Sequence, residues 1–245
     1  MSNILSKLLD QAFPQKKAIP SGEVAPAQDS PAAVMQGFKS MLVPVVGAYR
    51  RRFQNYGAAP QGVFWSNPDT VKKRFEILCR VFDPEDIARG ESSITDLGCG
   101  YGALYDFLND HPVIRGGEYR GYDICEPLLD ACKVRIKDPR ASFHLNMQAT
   151  RPADYSIVSG TFNLKLHATD ADWLNYVQIS LLSLWQQTDN ALAFNMLDDT
   201  DTEPQEGLYF ANLQAFEAFC RNNLSENVTV ITDYGLSDFT ILVRR

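Results

Sequence analysis

The chain is poor in the residues that build metal sites and disulfide frameworks. Its 245 residues include three histidines and five cysteines, Cys79, Cys99, Cys125, Cys132 and Cys220. The cysteine count is odd and no C-x-x-C pair occurs, so neither a zinc site nor a disulfide scaffold is expected, no metal is assigned, and a reducing compartment fits. Long apolar runs are missing as well: none approaches the roughly 18 residues of a membrane span. The first residues lack the charged-then-apolar pattern of a secretory signal, so the expectation is a soluble, cytoplasmic protein. Basic excess is also lacking, with 23 Lys and Arg against 30 Asp and Glu, a net charge of −7 and an isoelectric point near 5.0. That balance argues against nucleic-acid and anionic-membrane partners. The single basic run, Arg50-Arg51-Arg52, reads as a solvated helix face.

What is present is enough apolar sequence, 45% of the chain, for one sizeable core. Residues 1–34 read as a separate segment. Ile4, Leu5, Leu8 and Leu9 fall on one helical stripe, and a Pro- and Ala-rich stretch follows that reads as a disordered linker. The stripe is either a dispensable tail or a helix that docks over the active site or on a partner. Residues 35–66 form a helical and aromatic segment, and residues 67–245 the main domain. In the latter, Asn67 and Pro68 open a helix carrying Val71, Phe75, Leu78 and Phe82. Strands are then expected at 93–97, 118–124, 141–147, 153–160 and 190–197, alternating with helices at 126–137, 170–187 and 212–223. The last helix of the alternation precedes two strands joined by a tight turn, a hairpin rather than a crossover. Alternation implies a parallel sheet covered on both faces, and the hairpin reverses one strand near an edge. The expected fold is doubly wound α/β, Rossmann-like, with seven strands.

The stretch "SITDLGCGYGALYDFL" places three glycines in five positions directly after the first strand. Gly98, Cys99, Gly100, Tyr101 and Gly102 form the strand-to-helix loop, where ligands of such folds bind. Missing Cβ atoms let a ligand lie against the backbone, and the helix start offers unpaired N–H groups to a negative group. Asp123 ends the second strand, 21 residues past Gly102, where a carboxylate can accept hydrogen bonds from both hydroxyls of a ribose. The two features together imply a nucleoside cofactor. Gly98, Gly100 and Ala103 also satisfy the dinucleotide pattern G-x-G-x-x-A. Asp96 decides between the two: a buried carboxylate there repels a pyrophosphate and suits a ligand with an ammonium and a positive centre, such as S-adenosylmethionine.

"DLGCGYG" resembles the D-x-G-x-G-x-G first motif of the class I S-adenosylmethionine-dependent methyltransferases. "YRGYDI" resembles that family's following acidic motif, and the terminal hairpin its reversed seventh strand; the likeness spans residues 67–245. The resemblance implies S-adenosylmethionine as cofactor and methyl transfer as activity. It assigns Asp96, Gly98, Cys99, Gly100 and Gly102 to the methionyl part, Asp123 to the ribose and Ile124 to the adenine. An amide contact to the adenine is expected from the region of Asn146, Met147 or Gln148.

The resemblance also turns the end of the fourth strand, Ser159, Gly160, Thr161, Phe162 and Asn163, toward the methyl group. No Asn/Asp-Pro-Pro-Tyr/Phe motif stands there, which weakens DNA and release-factor substrates. Asn163 either orients a substrate or caps its loop, and His167 is either a general base or an exposed loop histidine. Asp198, Asp199 and Asp201 lie at the same rim, as a cation-attracting or merely solvated loop. Tyr56, Phe64 and Trp65 form a lid or a hydrophobic plug, and Arg74 reaches the methionyl carboxylate or a surface acid. The reading is methyl transfer to an O or N atom of a small molecule. The alternatives are a non-catalytic binding or scaffold protein, methylation of a protein side chain and, more remotely, a dinucleotide enzyme.

Overall fold

A computed structural model describes residues 31–65, 67–200 and 205–245. The stripe expected at residues 3–13 and Asp201 lie outside the described residues. The first element is a 26-residue helix, α1 (Pro31–Tyr56), followed by a single 3-10 turn at Pro60–Val63. It begins four residues before the boundary expected at residue 35. Phe38, Leu42 and Val45 recur at helical spacing and are buried, and the helix runs through the interior Pro44, which removes one backbone donor.

The remainder follows the expected alternation: α2 (Pro68–Leu78), α3 (Pro84–Arg89), β1 (Ser93–Leu97), α4 (Ala103–Leu108), β2 (Glu118–Asp123), α5 (Glu126–Arg135), β3 (Ala141–Leu145), β4 (Ala153–Ser159), α6 (Asp170–Gln186), β5 (Thr188–Leu197), α7 (Leu213–Asn223), β6 (Val228–Ile231) and β7 (Asp238–Arg244). Helix starts are set by side-chain caps. The side chain of Asn67 accepts from the Asp69 amide at 2.8 Å, Thr169 from Asp172 at 3.1 Å and Asn212 from Ala215 at 3.0 Å.

The seven strands lie in the order β3-β2-β1-β4-β5-β7-β6. All neighbours are parallel except β7, which runs antiparallel to both β5 and β6. The chain is therefore a doubly wound α/β protein whose strand order reverses between β1 and β4. One face of the sheet carries Val158, Leu192 and Phe194 against α1, α6 and α7, and the other carries Ile94, Tyr155 and Ile157 against α2, α4 and α5. Two expected details shift. Phe82 lies beyond the end of α2 yet stays buried, its ring edge-on to Tyr155 at 4.9 Å. In α6 the inward face is led by Trp173 as well as Val177, Leu181 and Leu184, while Leu174 is only half-buried.

Helix α1 shares the first core: the Phe38 ring meets Tyr176 of α6 edge-on at 5.4 Å. Leu42→Ala should therefore destabilise the whole domain by about 2–4 kcal/mol in urea unfolding. Val43→Ala, at a position 66% exposed, should change stability by less than about 0.5 kcal/mol. Equal effects of the two substitutions would mean that α1 is not packed in the core.

Candidate functional site

The site is a cavity at the carboxyl ends of β1, β2 and β4, roofed by α1. Asp96, Gly98, Cys99 and Gly100 line it from β1 and its loop, and Asp123 and Ile124 from β2. Asn146 and Met147 come from the end of β3, and Ser159, Gly160 and Thr161 from β4. Leu42, Val45, Tyr49, Val63 and Trp65 close it from above, and Trp173 and Tyr176 from α6. Among the described residues, no histidine, lysine or arginine lines it.

The three glycines of the loop serve different ends. All three have positive φ: 80° at Gly98, 55° at Gly100 and 86° at Gly102. A Cβ on Gly98 would overlap Thr161, whose hydroxyl is anchored to the Leu97 carbonyl at 2.8 Å. A Cβ on Gly102 would lie 2.7 Å from Ile136 Cδ1 and 3.3 Å from Cys132 Sγ. Both therefore make room for the protein itself, which corrects the expectation that every glycine clears space for a ligand. Only at Gly100 is that space open, the nearest atom being Val63 Cγ1 at 3.4 Å.

Two buried carboxylates face this backbone. Asp123 is held by amides: its Oδ2 accepts from the Gly100 N–H at 2.9 Å and its Oδ1 from Cys125 at 2.8 Å. Each oxygen keeps further acceptor capacity. Burial raises its pKa, and these amide bonds oppose the rise. Asp96 accepts a hydrogen bond from the Tyr119 hydroxyl, and burial pushes it up to about 7, against the effect of that hydrogen bond and with help from the nearby Asp123 charge. Burial and the Asp123 carboxylate likewise raise the Tyr49 phenol, so it stays protonated. The Ser159 hydroxyl is buried with no partner among the described residues. A cavity with two acids, an unpaired hydroxyl and exposed loop backbone is built for a ligand with a cationic group and several hydroxyls.

No family model matches the chain. A Mycobacterium tuberculosis protein named as a methyltransferase, Rv1506c, is 35% identical over 158 residues, covering 62% of this chain and 93% of its own. The chain belongs to the class I S-adenosylmethionine-dependent methyltransferases. Solved structures agree in fold. A Burkholderia thailandensis 1,6-didemethyltoxoflavin-N1-methyltransferase matches with a TM-score of 0.56 at 12% identity over 93% of each chain. A Synechocystis magnesium protoporphyrin IX methyltransferase, solved with S-adenosylhomocysteine, matches at 0.54 and 14% identity over 86% of this chain and 99% of its own.

Within this methyltransferase, several residues expected at the site stand elsewhere. Gly102 packs against α5, as described. Phe162 is fully buried in the core, and its carbonyl accepts from Trp173 Nε1 at 2.8 Å. Asn163 ties the ends of β4 and β5, its Oδ1 accepting from the Leu197 amide at 3.3 Å. His167 lies exposed in the loop before α6. Tyr56 is exposed at the end of α1 under the Arg52 guanidinium, 4.4 Å from its ring centroid. Asp198 caps its own turn through Thr200. None of these six residues lines the cavity: His167 is exposed, and the other five are taken by local packing, stacking or capping. Of the roof, Trp65 was expected as a lid or plug, whereas Leu42, Val45 and Tyr49 were missed although they continue the helical stripe begun by Phe38. Trp173 and Tyr176 were also missed, whereas Thr161 lines the cavity as expected of its strand-end segment.

Gly98→Ala and Gly102→Ala should lower the melting temperature clearly more than Gly100→Ala, which carries only the cost of a positive φ, about 1 kcal/mol. Equal losses would refute the division of roles among the glycines. For Asp96 the folded pKa near 7 exceeds the unfolded value of about 3.9. The folded state therefore holds this proton while the unfolded chain sheds it, and the associated stability is lost as pH rises through about 7. Melting curves of the protein and of Asp96→Asn between pH 4.5 and 8 should show the protein losing ground to the variant up to about pH 7, with little change above.

Proposed function

We propose that the protein transfers a methyl group from S-adenosylmethionine to an O or N atom of a small-molecule acceptor. The observation that carries this reading is the placement of Asp96, Gly100 and Asp123 on one enclosed cavity. Asp96 would take the methionyl ammonium, with the loop backbone at Gly98, Cys99 and Gly100 alongside. Asp123 would accept both ribose hydroxyls, and Ile124 and Met147 would flank the adenine. Asn146 has its Oδ1 committed to the Gln148 amide at 3.1 Å, so its side-chain N–H is the group free to serve a ring nitrogen. Ser159 and Gly160 would border the acceptor side, with Trp65 above them.

The bound cofactor supplies an electrophilic methyl group on a sulfonium. The chain's own contribution is to align the acceptor and exclude water, because an in-line displacement with dispersed charge gains chiefly from proximity and desolvation. His167 is exposed and outside the lining, which favours the loop-histidine reading over a general base at that position. An acceptor that is already a free nucleophile needs no base, and the carboxylates and tyrosines are among the titratable groups in the lining.

A small acceptor is supported by the enclosure under α1 and by the negative net charge. It is also consistent with the porphyrin and toxoflavin substrates in the names of the similar structures. Another similar structure, a Pnkp1/Rnl/Hen1 RNA repair complex, has a TM-score of 0.54, so fold likeness alone does not select the acceptor. Residues 67–245 would form the cofactor-binding domain, residues 35–66 its cover, and the setting would be cytoplasmic.

Calorimetry and melting curves with S-adenosylhomocysteine test the reading. Binding should raise the melting temperature and weaken as pH falls below about 7, where Asp96 takes up a proton. Asp123→Ala leaves two ligand hydroxyls unpaired, and affinity should fall about tenfold to a few hundredfold. Stabilisation by NADH but not by S-adenosylhomocysteine would overturn the proposal. Binding without any transfer of labelled methyl to a metabolite extract would favour the scaffold alternative.

A further inference from the structure

Arg74 and Asp238 form a buried ion pair that touches the cavity only through intermediaries. Arg74, on α2, donates from Nε and an η nitrogen to the two oxygens of Asp238 at 2.8 and 2.9 Å. Their side chains are 12% and 0% exposed. The other face of the guanidinium lies over the Trp65 ring, 4.3 Å from its centroid. Asp238, at the start of β7, also accepts from Asn195 Nδ2 at 2.6 Å, and Asn195 Oδ1 accepts from the Gly160 amide at 2.9 Å. The chain of contacts closes on itself, because Gly160 lies directly beneath Trp65. Its φ is 65°, and a Cβ there would stand 2.5 Å from the Trp65 ring.

A buried ion pair is poor evidence of stabilisation, since apolar groups of similar volume often do as well. Its geometry is more informative. A planar, bidentate guanidinium can hold an aromatic face in one orientation, and the same acid orders the backbone on which that ring rests. We infer that Arg74 and Asp238 are positioning residues that fix Trp65 against Gly160 and so set the wall of the cavity beside Ser159. The wall's service to a bound cofactor rests on the reading proposed above; the orientation of Trp65 does not.

The test uses the full chain labelled with 5-fluorotryptophan, whose three tryptophans, Trp65, Trp173 and Trp185, give three fluorine resonances. Trp65→Phe assigns the line in question. The double substitution Arg74→Met/Asp238→Asn removes both charges together, leaves neither one buried alone, and keeps an acceptor for Asn195. The Trp65 line should shift or broaden while the other two hold. Affinity for S-adenosylhomocysteine should fall roughly threefold to thirtyfold, the range of a partly desolvated cation–π contact. Arg74→Lys keeps the charge but loses the flat bidentate face, and should disturb the same line if the double variant does not fold. An unmoved Trp65 line in a folded variant, or a moved line with unchanged affinity, would overturn the inference. Failure of the unmodified protein to bind S-adenosylhomocysteine would instead strike the cofactor reading, and the fluorine comparison without ligand would still decide the orientation of Trp65.

Discussion

Everything around the cavity depends on keeping two carboxylates buried side by side without a cation in the lining. Burial raises the cost of ionising both, and the Asp123 charge adds to that cost at Asp96; an unpaired buried charge is expensive. The fold meets this cost in two ways. Asp123 is solvated by backbone, receiving amides from the glycine loop and from the start of α5. Asp96 receives one phenol, from Tyr119, and keeps its proton up to about neutral pH. A carboxylate fully satisfied by the protein would have little left to offer a ligand; Asp96 is left under-satisfied. That imbalance would give a cationic ligand its purchase.

The glycine loop is the geometric counterpart of this electrostatic arrangement. Its amide at Gly100 is aimed at Asp123, while its flanking glycines let Thr161 and α5 close in from either side. Packing on both flanks holds the central backbone still, and only the middle of the loop faces open space. The sulfur of Cys132 adds to this, donating to the Gly100 carbonyl at 3.2 Å. Close approach of protein to protein at Gly98 and Gly102 is therefore what makes close approach of a ligand at Gly100 possible.

The order and type of the main-domain elements were legible because each repeats a simple pattern: apolar strands, helices capped by Asn67 or Thr169, and a terminal hairpin. The strand-end acids and the glycine loop were legible for the same reason, since their position relative to a strand end fixes where they point. The side chains beyond β4 and β5 were not. Asp198 directly follows the end of β5, but Asn163 and His167 lie four and eight residues past the end of β4, whereas Asp123 is itself the last residue of β2. Their loops are shaped by capping and by cross-links such as the Tyr209 amide to the Asn163 carbonyl at 2.9 Å, which sequence spacing does not encode. Helix α1 was expected only as part of a helical and aromatic segment over residues 35–66, without its cavity-facing stripe. Its stripe is readable once Phe38, Leu42, Val45 and Tyr49 are taken together across Pro44.

The roof and the floor of the cavity differ in chemistry, and the difference bears on selectivity. The floor is backbone, carboxylate and hydroxyl, and suits a polar cofactor with fixed groups. The roof is aliphatic and aromatic, from Leu42 and Val45 to Trp65 and Tyr49, and it supplies area rather than directed bonds. Discrimination by an apolar wall is modest, about 1–3 kcal/mol per methylene gained or lost. An acceptor would therefore be chosen chiefly by the shape of the space beneath Trp65. That shape is only as definite as the orientation of the ring, and the ring is held from outside the cavity, by a guanidinium that no ligand touches. Selectivity for the acceptor would then reside as much in α2 and β7 as in the residues that line the site.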